Sequence, residues 1–207
     1  MTAPPPTPVD KAASTLQRLA RVASARRQRA ELEVRLPRND KLLAPFVTAS
    51  PQVVDFFASQ LCGPDDVVID LGCGDGRVLR ACLERGHALA VYGVDIQPAP
   101  LQRARDALQP WADRCNLLQA DFFDDAVRAL LGQCTICFLF LLPDTLAMLA
   151  PLLKRELKPG ARVVCSVFKF PDDAWDADSC IEAPAPAVAV EARRLWTYTV
   201  RGTKMLS

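Results

Sequence analysis

Val67-Val68-Ile69-Asp70-Leu71-Gly72-Cys73-Gly74-Asp75-Gly76-Arg77 is the stretch that decides the fold. An apolar run closes on Asp70, glycines follow at alternate positions, and a helix-compatible segment begins at Arg77. A buried parallel strand that runs into a glycine-lined turn lets backbone approach a nucleotide-like ligand. Working outward, Leu89 to Val94 forms a second apolar run, and Asp95 closes it 25 positions after Asp70. In open α/β sheets ligands gather at the carboxyl ends of the strands, so the two carboxylates are expected to face one pocket.

The dinucleotide fingerprint is G-x-G-x-x-G, with a helix N-terminus aimed at a pyrophosphate. Gly72 and Gly74 meet its first two positions, but the third falls on Arg77. The spacing is instead G-x-G-x-G behind Asp70, whose carboxylate would repel a pyrophosphate and suits a ligand carrying an ammonium group. S-adenosyl-L-methionine has a cationic amino-acid end, a sulfonium, and ribose hydroxyls that need an acceptor such as Asp95. The pattern D-x-G-x-G-x-G with a downstream acid resembles the first two motifs of class I S-adenosylmethionine-dependent methyltransferases. The implied architecture is α/β: a Rossmann-like, doubly wound, mostly parallel sheet with an antiparallel edge strand. The competing reading is a glycine-rich turn in an unrelated α/β domain.

With 207 residues the chain can bury one domain plus an arm. Its formal charge of +1 hides an asymmetry. Residues 1–30 carry six Lys and Arg against one acid, a local +5, which leaves −4 on the other 177 residues. The body therefore has no broad basic face, and nucleic acid is not expected as a partner. The longest apolar run, Ile136 to Leu142, is too short to span a bilayer and reads as a central strand buried on both faces. Eight cysteines without a secretory apolar segment do not suggest a disulfide framework. Cys134 and Cys137 form a C-x-x-C, but there is no second pair, His87 lies far off in sequence, and strand alternation would point the two sulfurs to opposite faces. No metal site is expected.

Two regions follow along the chain: a basic arm over residues 1–40, partly disordered or helical, and the main domain over 41–207. The arm begins proline-rich, then carries Leu16, Leu19, Ala20 and Ala23 among five arginines. It reads either as a mitochondrial targeting segment or as a solvated basic helix. In the domain, Ser50-Pro51 opens a helix, and strands are expected at Val67–Leu71, Leu89–Val94, Asn116–Ala120, Thr135–Phe140 and Arg162–Phe168. Helices between them imply right-handed parallel crossovers. The helix over Asp144–Leu157 is expected to kink or restart at Pro151. After Pro171 the pattern breaks into a Pro/Ala/Asp-rich stretch, and Arg194–Val200 alternates as a closing antiparallel strand at the sheet edge.

Two more stretches extend the crevice. Asp121-Phe122-Phe123 follows the third strand, where class I methyltransferases place a polar group for the adenine amine and an apolar neighbour for the ring; Asp121 and Phe122 match, although Asp121 also reads as a helix cap. Phe140-Leu141-Leu142-Pro143 ends the fourth strand, where that fold places the methyl acceptor. Phe140, Leu142 and Pro143 are the positional candidates for catalysis. An aliphatic amine entering such apolar surroundings loses its proton, because burial disfavours ammonium.

Three segments together are similar to a particular family: Pro45-Phe46-Val47 with Ser50-Pro51, Asp70 through Arg77, and Arg162 through Pro171 with Trp175 and Leu195-Trp196-Thr197-Tyr198. They resemble the protein-lysine N-methyltransferases that modify the ATP synthase c subunit and the adenine nucleotide translocase, and their bacterial relatives. The resemblance runs from about Leu42 to Val200. It implies methyl transfer from S-adenosyl-L-methionine to a lysine nitrogen of a protein, with a mitochondrial membrane protein among the acceptors. It also implies mitochondrial placement in eukaryotic members, against a cytoplasmic alternative; a monomer is expected. Animal members carry a membrane-inserted apolar segment ahead of the domain, where the Arg-rich arm stands here. The residues assigned to the cofactor are Phe46, Thr48, Ser50, Asp70, Gly72, Cys73, Gly74, Asp75, Gly76, Asp95, Ile96, Asp121 and Phe122. Ser50 reads equally as a helix cap. In-line displacement by a neutral amine needs no covalent intermediate. No general base stands out, and Asp75, Asp124 and Asp144 are candidates to hold an incoming ammonium. Methylation of a small molecule, or a non-catalytic cofactor-binding assembly factor, are the alternatives.

Overall fold

A computed structural model of the chain describes residues 48–184 and 191–202. The arm over 1–40 and Phe46 lie outside the described residues. From Ala49 onward the described residues form one compact unit. The first helix, α1 (Pro51–Phe56), starts where the Val53 N–H donates to Ser50 Oγ at 3.3 Å, with Pro51 supplying a preset φ at the first helical position. It continues as a π turn over Phe57–Leu61, closed by the Cys62 N–H on the Phe57 carbonyl. The remaining elements are β1 (Val67–Leu71), α2 (Arg77–Glu84), β2 (Ala90–Asp95), α3 (Pro98–Leu108) and β3 (Cys115–Gln119). They continue with α4 (Asp125–Leu131), β4 (Ile136–Leu139), α5 (Pro143–Glu156), β5 (Arg162–Ser166), β6 (Ser179–Glu182) and β7 (Arg194–Thr199).

The sheet order is β3-β2-β1-β4-β5-β7-β6. The first five strands are parallel, while β7 runs antiparallel to β5 and β6 antiparallel to β7. Helices cover both faces. Val53, Phe57, Leu79 and Leu101 pack one face, and Val127, Leu131, Leu146 and Leu149 the other. β4 is buried at every position, as a central parallel strand must be. At the amino ends of the strands, Arg162 grips both Asp66 oxygens at 2.9 and 2.7 Å and the Leu61 carbonyl at 2.7 Å. Thr135 Oγ1 donates to Asp66 at 2.6 Å, so β1, β4 and β5 are tied together at that end.

Several boundaries differ from those read off the sequence. Leu89 is 58% exposed and lies outside β2, while Asp95 is the last residue of the strand, paired with Gln119. β5 stops at Ser166 because Val167 takes φ 70°, which no extended strand tolerates. The antiparallel end of the sheet holds two strands: β7 is paired on both sides and β6 is the outer one. β6 shows no readable alternation because three of its four residues are exposed. Pro151 does not divide α5. Both Pro151 and Ala147, whose carbonyl loses its helical donor there, face solvent, where water replaces the missing bond. Cys134 and Cys137 pack in the same core cluster rather than on opposite faces, because Cys134 sits in the turn before β4, where strand alternation does not yet apply.

Gly93 shows how tightly β2 is seated. A Cβ there would lie 2.6 Å from Leu117 Cδ2, 2.7 Å from Leu79 Cδ1 and 2.9 Å from Cys73 Sγ. Gly93→Ala is expected to destabilise the fold by about 1–3 kcal/mol in urea unfolding, as overpacked core positions do. Because the clash includes Cys73, the variant should also lower the affinity for S-adenosyl-L-homocysteine in calorimetry.

Candidate active site

β1 delivers the chain into the glycine turn, and β2 holds that turn in place. The N–H groups of Gly72 and Cys73 donate to the Val94 carbonyl at 2.7 and 3.1 Å. The Gly74 N–H donates to Asp95 Oδ2 at 2.9 Å, and the Gln97 N–H donates to Asp95 Oδ1 at 2.8 Å. Gly72, Gly74 and Gly76 take φ of 87°, 53° and 76°. At Gly72 a Cβ would stand 3.2 Å from Leu141 Cδ2 and 3.8 Å from Phe122 Cζ, so the residue leaves a gap between two apolar walls. At Gly76, which caps α2, a Cβ would meet Leu108 Cδ1 at 2.9 Å and Ala104 at 3.0 Å. The loops after β1, β3 and β4 therefore meet at Gly72.

Asp70 and Asp95 are 3% and 8% exposed. Burial, then the neighbouring Asp95 and Asp75 carboxyls, push Asp70 up to about 8. Among the described residues no side chain or backbone group hydrogen-bonds the Asp70 carboxyl. A buried acid without a partner, beside a second acid, is complementary to a cation and hostile to a pyrophosphate. Asp95 spends one lone pair of each oxygen on backbone and keeps the others, as a ribose diol requires. These features fit S-adenosyl-L-methionine.

The other sequence-assigned residues divide into those the fold brings to this crevice and those with other visible duties. Phe122 comes to Gly72. Asp121 Oδ1 accepts the Phe123 N–H at 3.1 Å, and its own N–H donates to Asp124 Oδ2 at 3.0 Å, so both acids shape the turn into α4. Asp75 is held by Arg77 through bonds of 3.0 and 2.6 Å, which keep its carboxyl below the ordinary range and occupy it. Ile96 is exposed beyond β2, and Asp144 is exposed in the first turn of α5. Cys73 is buried, its thiol pushed well up by burial. Thr48 is half-buried, and Ser50 caps α1. Phe140 is half-buried against the cluster containing Phe57 and Phe138, Leu142 is 58% exposed, and Pro143 opens α5. Leu141, whose side chain faces Gly72, was missing from the sequence candidates. Its parity with Leu139 along β4 was the available signal.

Among the described residues no group of His, Cys, Asp and Glu could hold a metal ion, and no helix is long and apolar enough to cross a membrane. Burial raises the Cys134 thiol to about 12, in keeping with a packing role for the C-x-x-C.

An RNA methyltransferase from Salinibacter ruber, solved with S-adenosyl-L-homocysteine, matches with a TM-score of 0.62 and 28% identity. The match covers 78% of this chain and 98% of that one. Fold and crevice are thus those of a Rossmann-like class I, S-adenosyl-L-methionine-dependent methyltransferase domain. A family model, the ANTKMT methyltransferase domain, matches residues 70–178, and the chain belongs to that family. The adenine nucleotide translocase lysine N-methyltransferase of Mus musculus is 32% identical over 163 residues, 79% of this chain and 66% of its own. A protein-lysine N-methyltransferase of Saccharolobus islandicus is 34% identical over 111 residues, 51% of this chain and 65% of its own. The chain thus spans about two thirds of the length of these relatives.

Two outcomes are expected of the carboxylates. Asp95→Ala removes an acceptor shared by the turn and the ligand. At about 1.5–3 kcal/mol per charged hydrogen bond, it should weaken S-adenosyl-L-homocysteine binding more than about tenfold in calorimetry. Asp70 should give the unliganded protein a pH-dependent stability. Its carboxyl ionises at 3.8 when unfolded but stays protonated to about 8 when folded, so its contribution is full below 3.8 and is lost as pH rises to about 8. Urea midpoints of wild type, compared with Asp70→Asn, should fall between pH 5 and pH 8.

Proposed function

We propose that this protein transfers a methyl group from S-adenosyl-L-methionine to the side-chain nitrogen of a lysine in a protein substrate. The observation that carries the reading is the pair of buried acids, Asp70 and Asp95, beside a glycine turn flanked at Gly72 by the apolar side chains of Leu141 and Phe122. When bound, S-adenosyl-L-methionine supplies a methyl cation equivalent: the new N–C bond takes the nitrogen lone pair, and the electrons of the broken C–S bond stay on sulfur. The chain's own residues bind and orient. Asp95 would take the ribose hydroxyls, Asp70 the ammonium, and Phe122 the base. Gly72 keeps the approach open, and the apolar wall strips water from the amine so that it arrives neutral. Positioning alone lowers such barriers by about 7–11 kcal/mol when the reacting atoms are near attack distance. The proton of the product methylammonium leaves to water, so no general base is required.

A protein lysine is favoured over a small molecule by the names of the mouse and archaeal relatives. The mouse relative's name and the Arg-rich arm favour a mitochondrial acceptor and a mitochondrial address over a cytoplasmic one. The protein is proposed to act as a monomer. Incubation of the full chain with methyl-labelled S-adenosyl-L-methionine and cell lysate should place label on protein, and peptide mass spectrometry should locate it on lysine. Label confined to RNA or to the low-molecular-mass fraction would end the lysine reading. Binding of the cofactor with no transfer to any acceptor would favour the assembly-factor alternative.

A further inference from the structure

Neighbouring strands place four residues in one row at the carboxyl edge of the sheet. Leu71 is paired with Val94 and with Leu139, and Leu139 with Cys165. One residue further along the chain stand Asp95 and Ser166, the last residues of β2 and β5, and Gly72 and Phe140, the first residues past β1 and β4, which form a row across the strand tips. Ser166 follows Val164 on the face shared with Phe138 and Phe140, while Cys165 points to the other cluster. It lies two strands from Gly72, about 10 Å at ordinary sheet spacing. The row runs from the ribose acceptor at one end to a hydroxyl at the other.

That hydroxyl is 1% exposed at residue level and has no hydrogen-bond partner. Four buried side-chain polar atoms among the described residues lack partners, and Ser166 Oγ alone belongs to a fully buried residue. Buried hydroxyls are rarely left without a partner, and a polar group of a ligand would supply one here. A second, independent feature sits beside it. Val167 takes φ 70°, a conformation that a β-branched residue rarely adopts, and the Phe168 N–H closes back on the Ser166 carbonyl at 2.9 Å. This is a strained γ-turn, and it lifts the chain off the sheet immediately after the hydroxyl. The Val167 N–H holds the turn to the Arg194 carbonyl at 2.9 Å. Strain and an unmet hydroxyl at one strand tip gain nothing for folding, and strained backbone of this kind clusters at functional sites.

We propose that Ser166 is a positioning residue for the acceptor, its Oγ accepting a hydrogen bond from the N–H of the incoming lysine amine and thereby aiming the nitrogen lone pair along the row toward Gly72. A hydroxyl suits this task because it offers lone pairs without a charge that would keep the amine protonated. The proposal rests on the lysine reading above and adds the residue that recognises the amine.

The test uses the full chain and two probes: S-adenosyl-L-homocysteine, and an aza-analogue of the same nucleoside whose central nitrogen carries a 2-aminoethyl arm in place of the methyl, which sets the amine close to where the attacking nitrogen would sit. Wild type should bind the armed probe more tightly than the unarmed one. Ser166→Ala should leave S-adenosyl-L-homocysteine affinity within twofold of wild type and weaken the armed probe about tenfold, the worth of one hydrogen bond to an amine. Ser166→Cys keeps the shape with a weaker acceptor and should fall between. Equal losses for both probes, or no loss for either, would overturn the role of Ser166 and leave the methyltransferase reading standing. An arm that adds nothing in wild type would sink both this role and the lysine acceptor, and failure of wild type to bind S-adenosyl-L-homocysteine would sink the cofactor reading itself.

Discussion

A single carboxylate joins the two halves of the crevice. Asp95 ends β2, and its two oxygens accept one backbone N–H from the glycine turn after β1 and another from the residue that leads into α3. With the bonds from Gly72 and Cys73 to the Val94 carbonyl, this pins the turn to the tip of the neighbouring strand. A turn of alternating left-handed glycines would otherwise have much freedom to move, since glycine has the most conformational freedom to lose. The desolvation cost of burying the Asp95 carboxyl is offset by these backbone hydrogen bonds. The same group that orders the crevice thus presents its remaining lone pairs to whatever enters.

Asp70 has the opposite design. It is buried beside Asp95 without a hydrogen-bonding partner, and burial holds it protonated into the neutral range. One acid of the pair is fixed and solvated by backbone; the other is left uncompensated. A cationic ligand converts that second acid from a burden on the fold into an attractive partner. The unpartnered Ser166 and the strained Val167 stand together at the far end of the row, on the carboxyl edge where ligands lie. At the opposite edge the Asp66, Thr135 and Arg162 side chains satisfy one another.

The aromatic residues that carry part of the family resemblance prove to have a structural task. Phe170, Trp175 and Tyr198 form a mutual cluster with centroid separations of 4.9 to 5.4 Å, and the Phe170 N–H donates to the Tyr198 hydroxyl at 3.0 Å. Lys154 of α5 lies over the Trp175 ring and donates to the Ala174 carbonyl. Together they strap the segment after β5 onto the sheet and hold the Ser166–Phe168 turn in place.

The parallel strands and their order of helices were legible in the sequence because apolar period and glycine punctuation are local properties. Asp70, Gly72 and Asp95 were legible for the same reason: each sits at a strand end that the pattern itself marks. β6 was not, since an outer strand with exposed residues carries no alternation. The partners of Asp75, Asp121 and Asp124 were not either, because an acid before a helix reads alike as cap, ion pair or ligand. Leu141 against Gly72, the row from Asp95 to Ser166, the missing partner of Ser166 and the turn at Val167 exist only once strand register is set. Register is a long-range property: it depends on which residues of distant segments hydrogen-bond, and no stretch of sequence states that alone.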